Sequence, residues 1–149
     1  MYLEWYYIKI LFMWWIYALL SALFAALTAI FAKVGIKGVD TDLATGIRTI
    51  VILIIAWTIA FFRGGAATIH TLTKQNIIFL CLSGIATGLS WIFYFKALQL
   101  GKVSQVAPVD KLSVALAIIL SVIFLGEALT PRIAIGALLI IAGTIVLIV

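Results

Sequence analysis

Residues 11–32 read LFMWWIYALLSALFAALTAIFA, and this run decides the fold. It is longer than the about 20 apolar residues that carry a helix across a bilayer. Lys9 precedes it, but the run far exceeds the roughly 7–15 apolar residues of a cleavable signal. Trp14, Trp15 and Tyr17 near its start are amphipathic rings of the kind that hold a retained helix at headgroup level. The stretch predicts a membrane span.

Four further apolar runs follow: Leu43–Phe62, Ile77–Phe95, Val103–Leu125 and Ile133–Val149. Each is near helix-spanning length, and none shows the alternation that a membrane barrel needs. The polar breaks between them, Lys33–Asp42, Arg63–Asn76, Lys96–Lys102 and Gly126–Arg132, are too short for a soluble domain and force antiparallel neighbours. The expected architecture is an all-α polytopic bundle of five transmembrane helices, one domain over residues 1–149. The breaks also punctuate helices. Thr130 before Pro131 is an N-cap followed by proline at the first helical position, and Thr41 or Asp42 suits the second helix. Gly35, Gly38 and Gly101 are placed for C-terminal capping.

Composition agrees. The 149 residues are 66% hydrophobic and 10% charged, with mean hydropathy +1.34, outside the range of soluble globular or disordered chains. Cys81 is the only cysteine, so no disulfide scaffold exists. The net charge of +5 comes from scattered residues, not from a basic run that would bind nucleic acid. No paired carboxylates, activated nucleophile, phosphate loop or repeated metal ligand occurs, so the reading is not an enzyme and calls for no cofactor.

An odd number of spans puts the two termini on opposite faces of the membrane. Lys9, Arg63, Lys74 and Arg132 fall on the N-terminal face, and Lys33, Lys37, Lys96 and Lys102 on the C-terminal face. Orientation normally follows an excess of Lys and Arg on the cytoplasmic face. Four against four leaves either a fixed topology hidden by the tie or insertion of copies both ways up. Counting Arg48 and Lys111, which lie inside spans nearer the C-terminal face, makes the tally six against four.

Arg48, Asp110 and Lys111 carry the functional signal, because an ionisable side chain at a helix centre costs about 2.5–3.5 kcal/mol on insertion scales. At 1.5 Å per residue, Arg48 lies about 9 Å and Asp110 and Lys111 about 11–12 Å in from the C-terminal face. An Arg48–Asp110 ion pair would roughly cancel two desolvation penalties. Trp91, Tyr94 and Thr28 reach a similar depth, and Ser113 lies one turn from Asp110 on the same face. Lys111 points about 100° away from Asp110 in a regular helix, toward another partner or the interface. These seven form the candidate substrate or ion site. The alternative starts the fourth helix at Pro108, with Asp110 in its first turn and Lys111 reaching the interface.

Weaker signals have ordinary explanations. His70 sits in a polar loop, Cys81 reads as a small packing residue, and Glu127 suits either a buried role or a loop hydrogen bond. Trp5, Trp14, Trp15 and Trp57 read as interfacial anchors. Gly84 and Gly88 form a GxxxG pair, and Gly136 and Gly143 share a face of the last span. Small residues mark close helix contacts in lipid, either within one bundle or at a dimer seam.

The pattern resembles the five-helix EamA-type repeat of the drug/metabolite transporter superfamily. The resemblance rests on LTAIFAK at 27–33, Ile47-Arg48-Thr49, YFKAL at 94–98, FLGE at 124–127 and GALLIIAG at 136–143. The family's proline midway along the fourth helix is replaced here near Val114, with Pro108-Val109-Asp110-Lys111 upstream. The resemblance implies a secondary transporter or exporter of small metabolites. It also implies that the chain is one repeat of a pair that full-length relatives carry in opposite orientations around a central cavity. With the tied charge, this points to an antiparallel homodimer, or a small paralogous partner, that rebuilds the inverted arrangement in the bilayer.

The expected function is alternating-access transport of a small polar or amphoteric, amino-acid-like metabolite. Arg48 would take its anionic group and Asp110 its cationic group or a proton. A lipid-carrier flippase and a non-transporting membrane subunit are the alternatives. A prokaryotic plasma membrane is the expected location.

Overall fold

The computed structural model describes residues 2–149, with side chains from residue 13 onward. Trp5 and Lys9 lie outside the described side chains. Helix α1 covers Tyr2–Gly35, α2 Thr41–Phe62, α3 Lys74–Leu100, α4 Val103–Asp110, α5 Leu112–Leu125 and α6 Pro131–Ile148, with a 3-10 helix at Gly65–Thr71. No strand occurs among the described residues. α4 and α5 are two parts of one span, Val103–Leu125, and five stretches are long and apolar enough to cross a membrane. The fold is an all-α, five-span membrane bundle.

Local chemistry sets the helix ends. Asp40, rather than Thr41 or Asp42, caps α2: its carboxylate accepts from the backbone N–H groups of Asp42 and Leu43, both at 3.0 Å. Thr73 caps α3 reciprocally, accepting from the Asn76 N–H at 3.2 Å while its hydroxyl donates to the Asn76 side chain at 2.7 Å. Thr130 caps α6, with Pro131 at the first position. Gly126 closes α5 in the left-handed region at φ 67°, where the Glu127 N–H donates back to the Ser121 carbonyl at 3.3 Å. A side chain other than glycine is strained there.

Two helices end later than the sequence reading places them. α1 extends past Lys33 to Gly35, and α3 continues past Phe95 to Leu100. Lys33 explains both. Its ammonium donates to the carbonyls of Leu98 and, at 2.7 Å, Gly101, supplying positive charge where the end of α3 leaves carbonyls without partners. Lys33 is a strut between helices, not a free loop cation.

The tight core lies at the C-terminal face. Ile36, Phe95 and Leu98 are buried together, with Ala32, Ala44, Val103 and Val106 packed around them. Gln99 adds a hydrogen bond to the Val39 carbonyl at 3.1 Å. Elsewhere most large apolar side chains of the spans are exposed, Phe62 by 88% and Phe124 by 78%. An apolar surface this extensive is stable only against lipid or another protein.

α3 packs on α1, α2 and α4; α4 also touches α1 and α6, and α5 lies along α6. Gly84, Gly88, Gly136 and Gly143 would each accept a Cβ with no atom of a neighbouring element within 4 Å. Gly84 and Gly143 are exposed, and Gly88 and Gly136 half-buried. Cys81 is likewise exposed rather than packed. His70 and the side chain of Glu127 are exposed.

Candidate substrate-binding cleft

Asp40 starts α2, and two turns later the helix presents Arg48 half-buried toward α3. The preceding turns hide their own polarity: Thr45 donates to the Thr41 carbonyl and Thr49 to the Thr45 carbonyl, each at 2.8 Å. That back-bonding leaves the guanidinium as the polar group this part of α2 offers. Trp91 and Phe95, one turn apart on α3, present their rings to it, with the Arg48 Cζ 4.5 Å and 5.0 Å from the ring centroids. Stacking on aromatic faces offsets part of the cost of desolvating the cation.

A cleft of about 350 Å³ opens beside this stack. Thr28, Arg48, Trp91, Tyr94, Asp110, Lys111 and Ser113, the seven residues singled out in the sequence, all line it. Ala25 and Ser90 complete the lining. Ser90 adjoins Trp91 in sequence, and its hydroxyl on a span was the available signal. Phe95 was overlooked as a floor for Arg48, although its spacing of four from Trp91 places both rings on one helical face.

The charges pair differently from the expectation. Asp110 is bridged at 3.3 Å by Lys111 rather than by Arg48. The expected divergence of residues 110 and 111 belongs to an unbroken helix, whereas here the span breaks between them. α4 starts at Val103, contains Pro108 and ends at Asp110, and Lys111 is a turn residue before α5. Asp110 therefore closes a short helix instead of opening one at Pro108. At the break the Lys111 N–H donates to the Pro108 carbonyl at 3.0 Å, a tighter bond than the regular helical one. Thr144 on α6 supports it, its buried hydroxyl lying 3.2 Å from the Pro108 carbonyl and 2.8 Å from that of Ile140. The sequence reading missed Thr144, whose only signal was a hydroxyl in an otherwise apolar last span.

With Asp110 occupied, Arg48 Nη1 is buried and has no hydrogen-bond partner among the described residues. Such a group calls for an acceptor, because leaving a buried charged donor unpaired is costly. A second, apolar cleft of about 480 Å³ lies on the other side of Arg48, between α1 and α2, lined among others by Phe31, Ile36, Ile47 and Val51.

Comparison with known proteins places this geometry. The EamA-like transporter family model matches residues 12–149. An uncharacterized transporter in the cobO 3' region of Sinorhizobium sp is 47% identical over 134 residues, covering 90% of this chain and 95% of that protein. No solved structure matches significantly.

Proposed function

We propose that the chain, which belongs to the EamA-like transporter family, moves a small polar metabolite bearing an acidic group by alternating access, as an antiparallel homodimer. Family and fold support a multi-pass membrane transporter of the drug/metabolite type. The observation that carries the finer reading is the unpaired Nη1 of Arg48 in a polar cleft at membrane depth. Intramembrane cations of this kind mark substrate or ion pathways. Antiparallel pairing is supported by the odd span count, the tied loop charges, and the exposed Gly84 on α3 and Gly143 on α6. The matched relative is spanned almost whole by a chain of this length. Its source supports a prokaryotic plasma membrane.

An amino-acid-like substrate would need Asp110 for its ammonium, and that carboxylate already holds Lys111. The acidic group on Arg48 is therefore the primary contact. Uptake into proteoliposomes tests the assignment. Arg48→Ala should abolish flux, and undiminished flux would refute it.

The flippase reading gains one specific observation, the apolar α1–α2 cleft beside Arg48. Binding of a polyprenyl phosphate in place of soluble acids would favour it.

A further inference from the structure

Arg48 and Thr28 line both clefts. The polar cleft holds Asp110, Lys111, Ser90 and Ser113, whereas the α1–α2 cleft is almost wholly apolar, with Phe31, Ile36, Ile47 and Val51 in its walls. The guanidinium thus stands where a polar chamber meets a greasy one. We propose that the ligand is an amphiphilic monoanion, its anionic group on the Arg48 guanidinium where the two clefts meet and its apolar body in the α1–α2 cleft. This rests on the proposed function only in taking the cleft as the substrate site.

Three features select that class. Trp91 and Phe95 lie against the guanidinium, 4.5 Å and 5.0 Å from Cζ, and its donor fork matches a carboxylate or phosphate edge. The charge is selective too. Lys111 and Asp110 balance each other at 3.3 Å, which leaves the single positive charge of Arg48 for a single negative one. A zwitterion would bring an ammonium that must share Asp110 with Lys111.

The third feature is size and access. About 480 Å³ of apolar space adjoins the cation, room for an aromatic ring or a medium-length aliphatic body, whose burial contributes about 25 cal/mol per Å² of apolar area. At this level α1 and α2 are separated by that cleft rather than packed together. A ligand dissolved in the membrane interface reaches Arg48 without crossing the core of Ile36, Phe95 and Leu98. The same chemistry is offered by a water-soluble amphiphilic acid and by the head of an anionic lipid.

Isothermal titration of the full chain in phosphatidylcholine nanodiscs, with empty discs subtracted, tests the class. Phenylacetate is the probe, with acetate, phenylalanine and phenethylammonium as comparisons. Phenylacetate should bind at least about tenfold more tightly than each comparison, and Arg48→Gln should remove that preference. Gly35→Leu, which enters the apolar cleft from α1 into open space, should weaken phenylacetate about tenfold and acetate hardly at all. Discs containing phosphatidate separate the sources. Loss of phenylacetate binding there assigns the site to a lipid head, and unchanged binding assigns it to the soluble acid. Equal affinity for phenylalanine and phenylacetate, or binding indifferent to both substitutions, overturns the proposal. Arg48-dependent flux of a zwitterionic amino acid would sink the ligand class while sparing the transporter reading. Tight phenylacetate binding without flux would do the reverse.

Discussion

The Lys111 ammonium lies 3.3 Å from the Asp110 carboxylate across the break between α4 and α5, and this pairing determines what the rest of the cleft offers. Arg48 on α2 is left to two aromatic rings, with its Nη1 buried and without a partner among the described residues.

Trp91→Ala removes the nearer ring and should raise the KM for the transported anion roughly tenfold, since a desolvated cation–π contact is worth up to about 2 kcal/mol. Arg48→Lys should rescue little, because an ammonium neither stacks nor donates in a planar fork. Concentration-dependent uptake in proteoliposomes measures both. A KM unchanged by Trp91→Ala would show that the ring does not position the cation for substrate.

Asp110→Asn frees Lys111 and adds a second uncompensated cation to the cleft. Anion affinity should rise, with a wider tolerance for dianions, while thermal stability moves little because so exposed an ion pair contributes only about 0–1 kcal/mol. Parallel ligand titrations and melting curves check this. A large fall in anion affinity would instead give Asp110 a direct role with the substrate.

Lys33→Met withdraws the donor that closes α3 at the Leu98 and Gly101 carbonyls. The expected loss is about 1.5–3 kcal/mol, the range for hydrogen bonds to charged groups. It should appear as a lower unfolding midpoint, largely recovered by Lys33→Arg. An unchanged midpoint would show that water replaces the ammonium at no cost.

Orientation can be forced. Reporter fusions at the C-terminus should give signal from both faces, whereas Ala66→Lys with Ala67→Lys loads the N-terminal face and should hold nearly all copies with that face in the cytoplasm. If only the mixed population transports, the paired arrangement follows. Single-sided signal from the unmodified chain would refute insertion both ways up.

The spans were legible because length and hydropathy alone define them, and Thr130-Pro131 announced its own helix start. The errors cluster at charged residues. Lys33 and Lys96 read as breaks, yet a lysine at a helix end either caps a neighbour, as Lys33 does, or extends outward while the helix continues, as at exposed Lys96. The Asp40 cap was missed by one residue, since Asp40, Thr41 and Asp42 are all competent oxygen donors to a helix start. Depth counting named seven of the nine residues that line the polar cleft, because rise per residue is a reliable ruler within a span. The same ruler failed for pairing. It assumes an unbroken helix, and Pro108 together with Thr144 supports a turn at Lys111 that no periodicity reveals.

Among the described residues the buried apolar cluster of Ile36, Phe95 and Leu98 lies at one end of the bundle. Set head to tail, two such units give each leaflet one sealed mouth and one loose one. Exchanging which copy is drawn in would swap the doors without inventing a new contact, so a symmetric gate arises from an unsymmetric part.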